Sequence, residues 1–429
     1  MNVLVIEANH LGHRLNNAGL VLEAIQHLPG VNAFFATSQD ALGTTEFKTW
    51  IGPRMLIGSA RLIDTLTNVS GTGTRREVSK QVFELRAIIK SHAIDHVLIP
   101  SGDGLCQIAA AMRPFASLKC RAGVEIEAMM LRGRFAYESA DSLKSKLARS
   151  AWFAAVGHSP IDLIHHMDPM IYRAAIERKP SLRSRLKSIP DPVDPIEADL
   201  DRLTARRRLG IPEDGRLMGC VGVIEVRKGM DLLIRAFAHN IRSGKLSAES
   251  DRLLLVGKHE PPIPKILDAE ASDLVKKGVI ISIARFVSDV EMSNAINAMN
   301  LVVTPYPLHI GSASIVIRAA AQRRPVLASD FGWLGRIVPE FRLGSVCDVN
   351  DVAQFAQAMP RALDEAQGFV QSEMAERFVQ YSAVANFQAH WVQRICQRLN
   401  VTPPPILRWS DLESGNDRAE AHPRAVTCQ

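Results

Sequence analysis

Residues 301–330, LVVTPYPLHIGSASIVIRAAAQRRPVLASD, constrain the fold more than any other part of this chain. A β-branched run over 301–305 stops at a proline, small residues fill 310–314, good helix formers occupy 315–322, and a second apolar run opens over 325–328. That order predicts strand, loop, helix and strand, because β-branched residues suit a pleated surface and small residues suit a tight connection. A helix starting there leaves the backbone N–H groups of Gly311, Ser312 and Ala313 without intrahelical partners. With the helix dipole behind them, they form a phosphate-binding arrangement beyond the strand's carboxyl end.

A similar unit lies about 80 residues upstream. Residues 217–224 (LMGCVGVI) read as a strand, followed by Glu225, Val226, Arg227, Lys228 and Gly229, then by a helical pattern over 230–237. A lysine after such a strand suits a diphosphate, being a compact charge on a flexible stem. An isolated Lys-Gly pair reads more readily as a solvated turn; its place before a helix and ahead of the second loop favours the functional reading.

These two segments resemble the donor-binding region of retaining, nucleotide-sugar-dependent glycosyltransferases of the two-domain GT-B type, especially the large family 4. The family's later segment runs approximately P-S-x-x-E-G-F-G, four residues, E-A-M-A-x-G-x-P-V. Gly311, Ala319, Ala321, Pro325 and Val326 fall in register with it, and Pro305 is one residue out of step. The earlier pattern, G-R-L-x-x-x-K-G-x-D-x-L-I-x-A, is matched at Gly222, Lys228, Gly229, Asp231, Leu233, Ile234 and Ala236, with Val223 in the place of the arginine. Ile310 and Arg318 stand where the family has its two glutamates. Residues 188–194 (SIPDPVD) look like the hinge into the second domain, 252–257 and 278–283 like its next strands, and Phe286 and Val287 sit where the family's backbone approaches the donor base. The resemblance is strong over about 188–360 and weak before it.

The resemblance implies an α/β protein of GT-B architecture, with two Rossmann-like domains whose parallel sheets face each other across a cleft. Residues 1–188 would form the acceptor domain and 189–383 the donor domain, with a helix over 384–400 crossing back and a disordered tail over 401–429. A length of 429 residues with 47% apolar content suffices for two ordinary cores. The helix is supported by Phe387, Trp391, Val392 and Ile395, spaced for one buried face. The tail, with three successive prolines, lacks a core pattern.

The first strand, NVLVI, starts at residue 2, so no secretory leader is expected, and no apolar run reaches the ~18 residues of a spanning helix. Cys106, Cys120, Cys220, Cys347, Cys396 and Cys428 show no C-x-x-C spacing and read as reduced thiols of a cytoplasmic protein, with neither disulfides nor a metal site. Basic residues concentrate between Arg173 and Arg208. Such a segment suits anionic headgroups at the inner membrane face, and equally a solvated linker; without interleaved aromatic residues, nucleic acid is not an expected partner.

Three segments of the first half carry candidates. The loop after the first strand holds His10, Gly12 and His13, positioned for acceptor hydroxyls or donor phosphate, or simply as surface residues. Asp103, in a glycine-flanked loop after the strand over 96–100, either reaches a sugar hydroxyl or caps the following helix. Glu125 and Glu127 alternate with apolar residues on one strand face, where they could act as acid/base groups and acceptor contacts or be salt-bridged to Arg121 or Arg132.

Among these, His13, Glu125 and Lys228 are the catalytic candidates. Gly222, Arg227, Lys228, Phe286, Val287, His309, Gly311, Ser312, Ala313 and Arg318 are the donor-binding candidates, and His10, Gly12, Asp103 and Glu127 the acceptor-binding ones. Arg318 has only donors and cannot accept ribose hydroxyls as the family's glutamate does, so it suits a phosphate instead. His309 could supply the polar group that Ile310 lacks.

The resulting expectation is a metal-independent hexosyl transferase without cofactor, moving sugar from a nucleotide-diphosphate sugar to a glycan or lipid-linked acceptor, as in polysaccharide assembly. Two alternatives are a catalytically silent binding or scaffold protein of the same fold and a sugar-nucleotide epimerase.

Overall fold

The computed structural model describes residues 1–10, 14–68, 74–131, 133–137, 143–194, 196 and 198–413. The chain divides into two compact units, residues 1–192 with 384–409 and residues 193–383 with 410–413. Each is built on one parallel sheet.

The first unit contains β1 (Asn2–Ile6), β2 (Asn32–Ala36), β3 (Arg61–Ile63), β4 (His96–Ile99), β5 (Glu125–Met130), β6 (Leu163–His166) and β7 (Leu186–Ser188), in the spatial order β3-β2-β1-β4-β5-β6-β7. Its central strands β1 and β4 are buried almost along their whole length because both faces are covered, as parallel sheets with crossover helices require. In β1, Leu4 and Ile6 pack to one side with Val97, Ile126, Leu85 and Ile89. Val3 and Val5 pack to the other with Leu15, Ile25, Trp391 and Ile395.

Trp391 and Ile395 belong to the C-terminal helix Val384–Leu399, whose Phe387, Trp391, Val392 and Ile395 are all buried. Beside the helix Arg14–Gln26 it covers one face of the sheet, with the Gln388 amide donating to the Leu20 carbonyl at 3.1 Å. Burying a side chain such as Phe387 contributes about 2–3 kcal/mol.

The segment after this helix departs from the expected disorder. Asn386 exchanges two hydrogen bonds with the backbone of Leu407, at 3.0 and 2.8 Å, and Gln393 donates to the Pro404 carbonyl at 2.8 Å. Prolines that have no core pattern still present carbonyls, and polar side chains on the helix bind them. Residues 414–429 lie outside the described residues.

The second unit contains β8 (Arg216–Val221), β9 (Asp251–Val256), β10 (Ile280–Ile283), β11 (Leu301–Thr304), β12 (Val326–Ser329) and β13 (Gly344–Cys347), in the order β10-β9-β8-β11-β12-β13. In both sheets the order of strands reverses at one place, between β1 and β4 and between β8 and β11. A crevice opens at such a switch point, because the connections on its two sides lead away in opposite directions.

Two arginines of the basic segment are committed to the interior. Arg206, 2% exposed, donates to the carbonyls of Ala298, Glu213, Asp214 and Gly215 and to the Asn300 side chain. Arg185 binds the carbonyls of Gly157, Ser159 and Ile161. Arg178, Arg183 and Lys187 remain exposed. Among the described residues, no helix is long and apolar enough to cross a membrane.

Candidate functional site

At the switch point of the second unit, two loops are locked together by glycines. After β8 the chain turns at Gly222 (φ +114°), makes a short 3-10 turn over Val226–Lys228, and enters the helix Met230–Arg242 through Gly229 (φ +69°). A Cβ on Gly229 would lie 1.9 Å from the carbonyl oxygen of Pro305, in the loop after β11. Only glycine permits both that backbone angle and that approach. Gly229→Ala is therefore expected to pry the loops apart and to cost about 1–3 kcal/mol of stability through the strained backbone, which a melting curve would measure.

This contact sets Lys228 against the second loop. Its ammonium lies 5.7 Å from the centroid of the Tyr306 ring, within cation–π range, and Tyr306 is 4% exposed. Burial pulls the lysine pKa down, with the neighbouring Cys220 and Glu225 opposing. Burial also pushes the Cys220 thiol up to about 11, so it supplies no anion near neutrality. The Glu225 carboxylate is already held by Arg227 at 2.5 Å. Lys228 is thus a half-buried cation whose nearest carboxylate serves another residue.

The loop after β11 supplies the other half. Gly311 takes φ +95°, and Ala313 begins the helix Ser314–Ala321 with no side-chain cap on its first turn. His309 Nε2 lies 3.0 Å from the Ser312 carbonyl, which accepts its N–H. Burial lowers the His309 pKa, and Arg227 and Lys228 push the same way, so the ring is neutral. A Cβ on Gly332 would lie 2.5 Å from the His309 carbonyl oxygen, which buttresses the loop from behind. An anion here meets one ammonium, one neutral histidine and a helix N-terminus.

Arg318 lies within the same helix, 3.6 Å from Asp289 and 20% exposed, so an ion pair already engages the guanidinium. Phe286 is 82% exposed, whereas Val287 is buried.

The first unit has its own crevice at the ends of β1 and β4. Glu7, only 5% exposed, accepts the Asn9 backbone N–H at 2.9 Å through Oε1, while Oε2 has no hydrogen-bond partner. Burial pushes its carboxyl up to about 6, against the pull of Arg14. The Ser101 hydroxyl lies beside this carboxylate and also pulls its pKa down, while His10 Nδ1 is buried without a partner. Asp103 opens the helix Asp103–Met112 but does not cap it; Gly102 holds the cap position, and the carboxylate accepts the Leu131 N–H at 3.1 Å. Gly12 and His13 lie outside the described residues. Sequence patterns did not single out Glu7 or Ser101, although each directly follows or nearly follows a strand at the switch point.

Glu125 and Glu127 do not join this crevice. They lie in the first half of β5, and ligands gather at the carboxyl ends of parallel strands, about 10–17 Å further along. Glu125 is paired with Arg394 of the C-terminal helix at 2.8 Å. Glu127 is fully buried between His96 Nε2 at 3.0 Å and His165 Nε2 at 2.8 Å. Acid/base and acceptor roles for this pair are thereby replaced by structural ones.

The family description Glycosyl transferases group 1 matches residues 215–365. The chain is 32% identical over 187 residues to D-inositol 3-phosphate glycosyltransferase of Acidothermus cellulolyticus, covering 42% of this chain and 41% of that protein. To the protein of the same name from Gordonia bronchialis it is 33% identical over 178 residues, 39% of this chain and 38% of that one. The chain thus aligns with about two fifths of the length of these curated relatives.

Among solved structures, sucrose-phosphate synthase from Thermosynechococcus elongatus superposes with a TM-score of 0.67 at 16% identity, covering 93% of this chain and 99% of that one. Anabaena HepE in complex with UDP and glucose superposes with a TM-score of 0.63 at 14% identity, covering 93% and 99%. At such identities the likeness establishes architecture. The chain has the GT-B fold, and within it residues 215–365 match the description Glycosyl transferases group 1.

Proposed function

We propose that this chain transfers a sugar from a nucleotide-diphosphate sugar to an acceptor hydroxyl. The acceptor oxygen bonds to the anomeric carbon, the bond from that carbon to the diphosphate breaks, and the hydroxyl proton passes to the released diphosphate or to water. The observation that carries this reading is Lys228, a half-buried ammonium lacking its own carboxylate and set against the loop that leads into an uncapped helix N-terminus. Those groups match the charge that grows on a departing diphosphate.

Retention of anomeric configuration belongs to the proposal through the residue matches from Gly311 to Val326. So does a glycan or lipid-linked acceptor, with the exposed Arg178, Arg183 and Lys187 available to anionic headgroups. The name carried by the relatives makes an inositol phosphate one of the acceptors to test. A nucleotide-sugar-binding protein without transfer is the second reading, favoured by the apolar Ile310 and by the Arg318–Asp289 pair in the family's glutamate region.

Thermal unfolding with a panel of nucleoside diphosphates and nucleotide sugars tests both readings, since a ligand bound only by the folded state raises the midpoint. One base should shift it selectively, and product formation with a candidate acceptor should follow. Binding without turnover would select the second reading, and no shift with any nucleotide would exclude both.

A further inference from the structure

Three arginines gather at the amino ends of the second unit's central strands, the opposite end from the Lys228 loop. Arg202 and Arg206 stand one turn apart on the helix Arg202–Leu209 and so share a face. Arg206 donates to the Asn300 side chain at 2.9 Å, just before β11. Val302 of β11 pairs with Val326 of β12, and this parallel register, carried back two residues, sets Asn300 level with Arg324. Burial, then the charges of Arg202 and Arg206, pull the Arg324 pKa down to about 10, as cations that face one another do.

Of the three, Arg206 is satisfied by backbone carbonyls and by Asn300. Arg202 and Arg324 are not. The Nε of each is buried without a partner, and neither guanidinium has a hydrogen bond or an ion pair among the described residues. Nearby carboxylates serve other groups. Asp199 lies 3.3 Å from Arg323, Asp214 lies 3.9 Å from Arg252, and Asp201 caps its own helix by accepting the Thr204 N–H at 3.0 Å. Arg202 is also the first residue of that helix, where the dipole disfavours a cation and favours an anion.

A buried guanidinium N–H without an acceptor is costly, and like charges repel, so this cluster is built for an anion that lies between its members. Each planar fork matches two oxygens, and both residues are only partly buried, which leaves their outer N–H groups within reach of a ligand. One carboxylate has too few oxygens to grip both forks. A phosphate or diphosphate group has enough, and its charge balances the two guanidiniums.

We propose that Arg202 and Arg324 form a second anion site, separate from the Lys228 loop, which takes the phosphate or diphosphate group of a ligand. The helix Ser314–Ala321 joins the two places, since it opens from the Gly311 loop and the turn that carries Arg324 follows it, about 12 Å further on. The site does not depend on sugar transfer.

Titration calorimetry of the full chain with pyrophosphate tests it, in a Lys228→Ala background that weakens the other phosphate loop. Pyrophosphate should bind Lys228→Ala, and adding Arg324→Gln or Arg202→Gln should weaken that binding about tenfold or more. UDP should bind the two single arginine variants as it binds the natural chain. Without pyrophosphate these variants should melt at or above the natural midpoint, because each loses an unpaired charge; an arginine with a structural role would lower it. Pyrophosphate should raise the midpoint of the natural chain more than theirs. The two substitutions lie on different elements, so misfolding of one leaves the other as the test.

Flotation of Lys228→Ala with phosphatidylglycerol vesicles, lost on adding either arginine substitution, would uphold the site with a lipid phosphate as its ligand. If neither pyrophosphate nor the vesicles bind Lys228→Ala, or if they bind equally well after the arginine substitutions, the proposal is overturned.

Discussion

Lys228→Ala is expected to weaken UDP binding about tenfold to a hundredfold, as losing a charged hydrogen bond of 1.5–3 kcal/mol does, and to slow sugar transfer about 10²–10³-fold. The second factor is the larger because charge on the diphosphate grows as the bond to sugar breaks. The unliganded variant should keep its melting temperature or gain slightly. Burial lowers the lysine pKa, and Glu225, which attracts it, is paired with Arg227, so alanine removes a half-buried cation without breaking an ion pair among the described residues. This combination separates a ligand-binding role from a structural one. A structural lysine would lower stability and leave UDP affinity intact in the molecules that stay folded. Lys228→Arg should recover only part of the loss, because the planar fork needs more room than the Tyr306 face and the Gly229 turn leave. Unchanged UDP affinity in Lys228→Ala would remove this loop from the diphosphate site.

The donor-side elements were legible because they are local. The strand read over 301–305 is β11, the helix read over 315–322 is Ser314–Ala321, and the run at 325–328 opens into β12. Continuous β-branched runs have few alternatives in a doubly covered parallel sheet. The glycines at 229 and 311 announced turns, which their positive φ angles realise. What remained hidden depends on residues far apart in sequence. Alternation places Glu125 and Glu127 on one face, but it does not say that Trp391 and Arg394, more than 260 positions later, cover that face. Nor does a run of arginines reveal that Arg206 gathers carbonyls from the segments leading into the two central strands, β8 and β11. Glu7 was hidden for a further reason. A single acidic residue after a strand has no pattern, and only the neighbouring strand β4, about 90 residues on, places Ser101 beside it.

Glu127 carries the largest expected effect on stability. Its carboxylate is fully buried in the first unit, accepting Nε2–H from His96 at 3.0 Å and from His165 at 2.8 Å, with Arg394 Nε at 3.9 Å. Burial alone would raise its pKa, but hydrogen bonds from His165 and His96 outweigh it and hold the carboxyl down near 2. Nδ1 of both histidines is buried without a partner, so the proton that each ring gives the carboxylate sits on Nε2. Glu127→Gln breaks this scheme despite its shape. The amide offers one acceptor and one donor group, so one histidine must move its proton to Nδ1, where it meets no acceptor. A buried unpaired N–H on top of the lost charge interaction should cost about 3 kcal/mol or more, lowering the melting midpoint of this unit by roughly 6–12 °C. The pH dependence has a definite sign. A carboxyl whose folded pKa lies below its unfolded value of 4.5 contributes stability that is present above about 4.5 and lost as pH falls toward 2. The gap between the natural chain and Glu127→Gln should therefore hold constant from neutrality down to about pH 4.5 and narrow below it, as followed by calorimetry between pH 7 and about 2.5. Equal melting midpoints at pH 7 would mean that the two histidines are satisfied without the carboxylate. A full-sized gap that did not shrink in acid would mean that the charge is not what holds them.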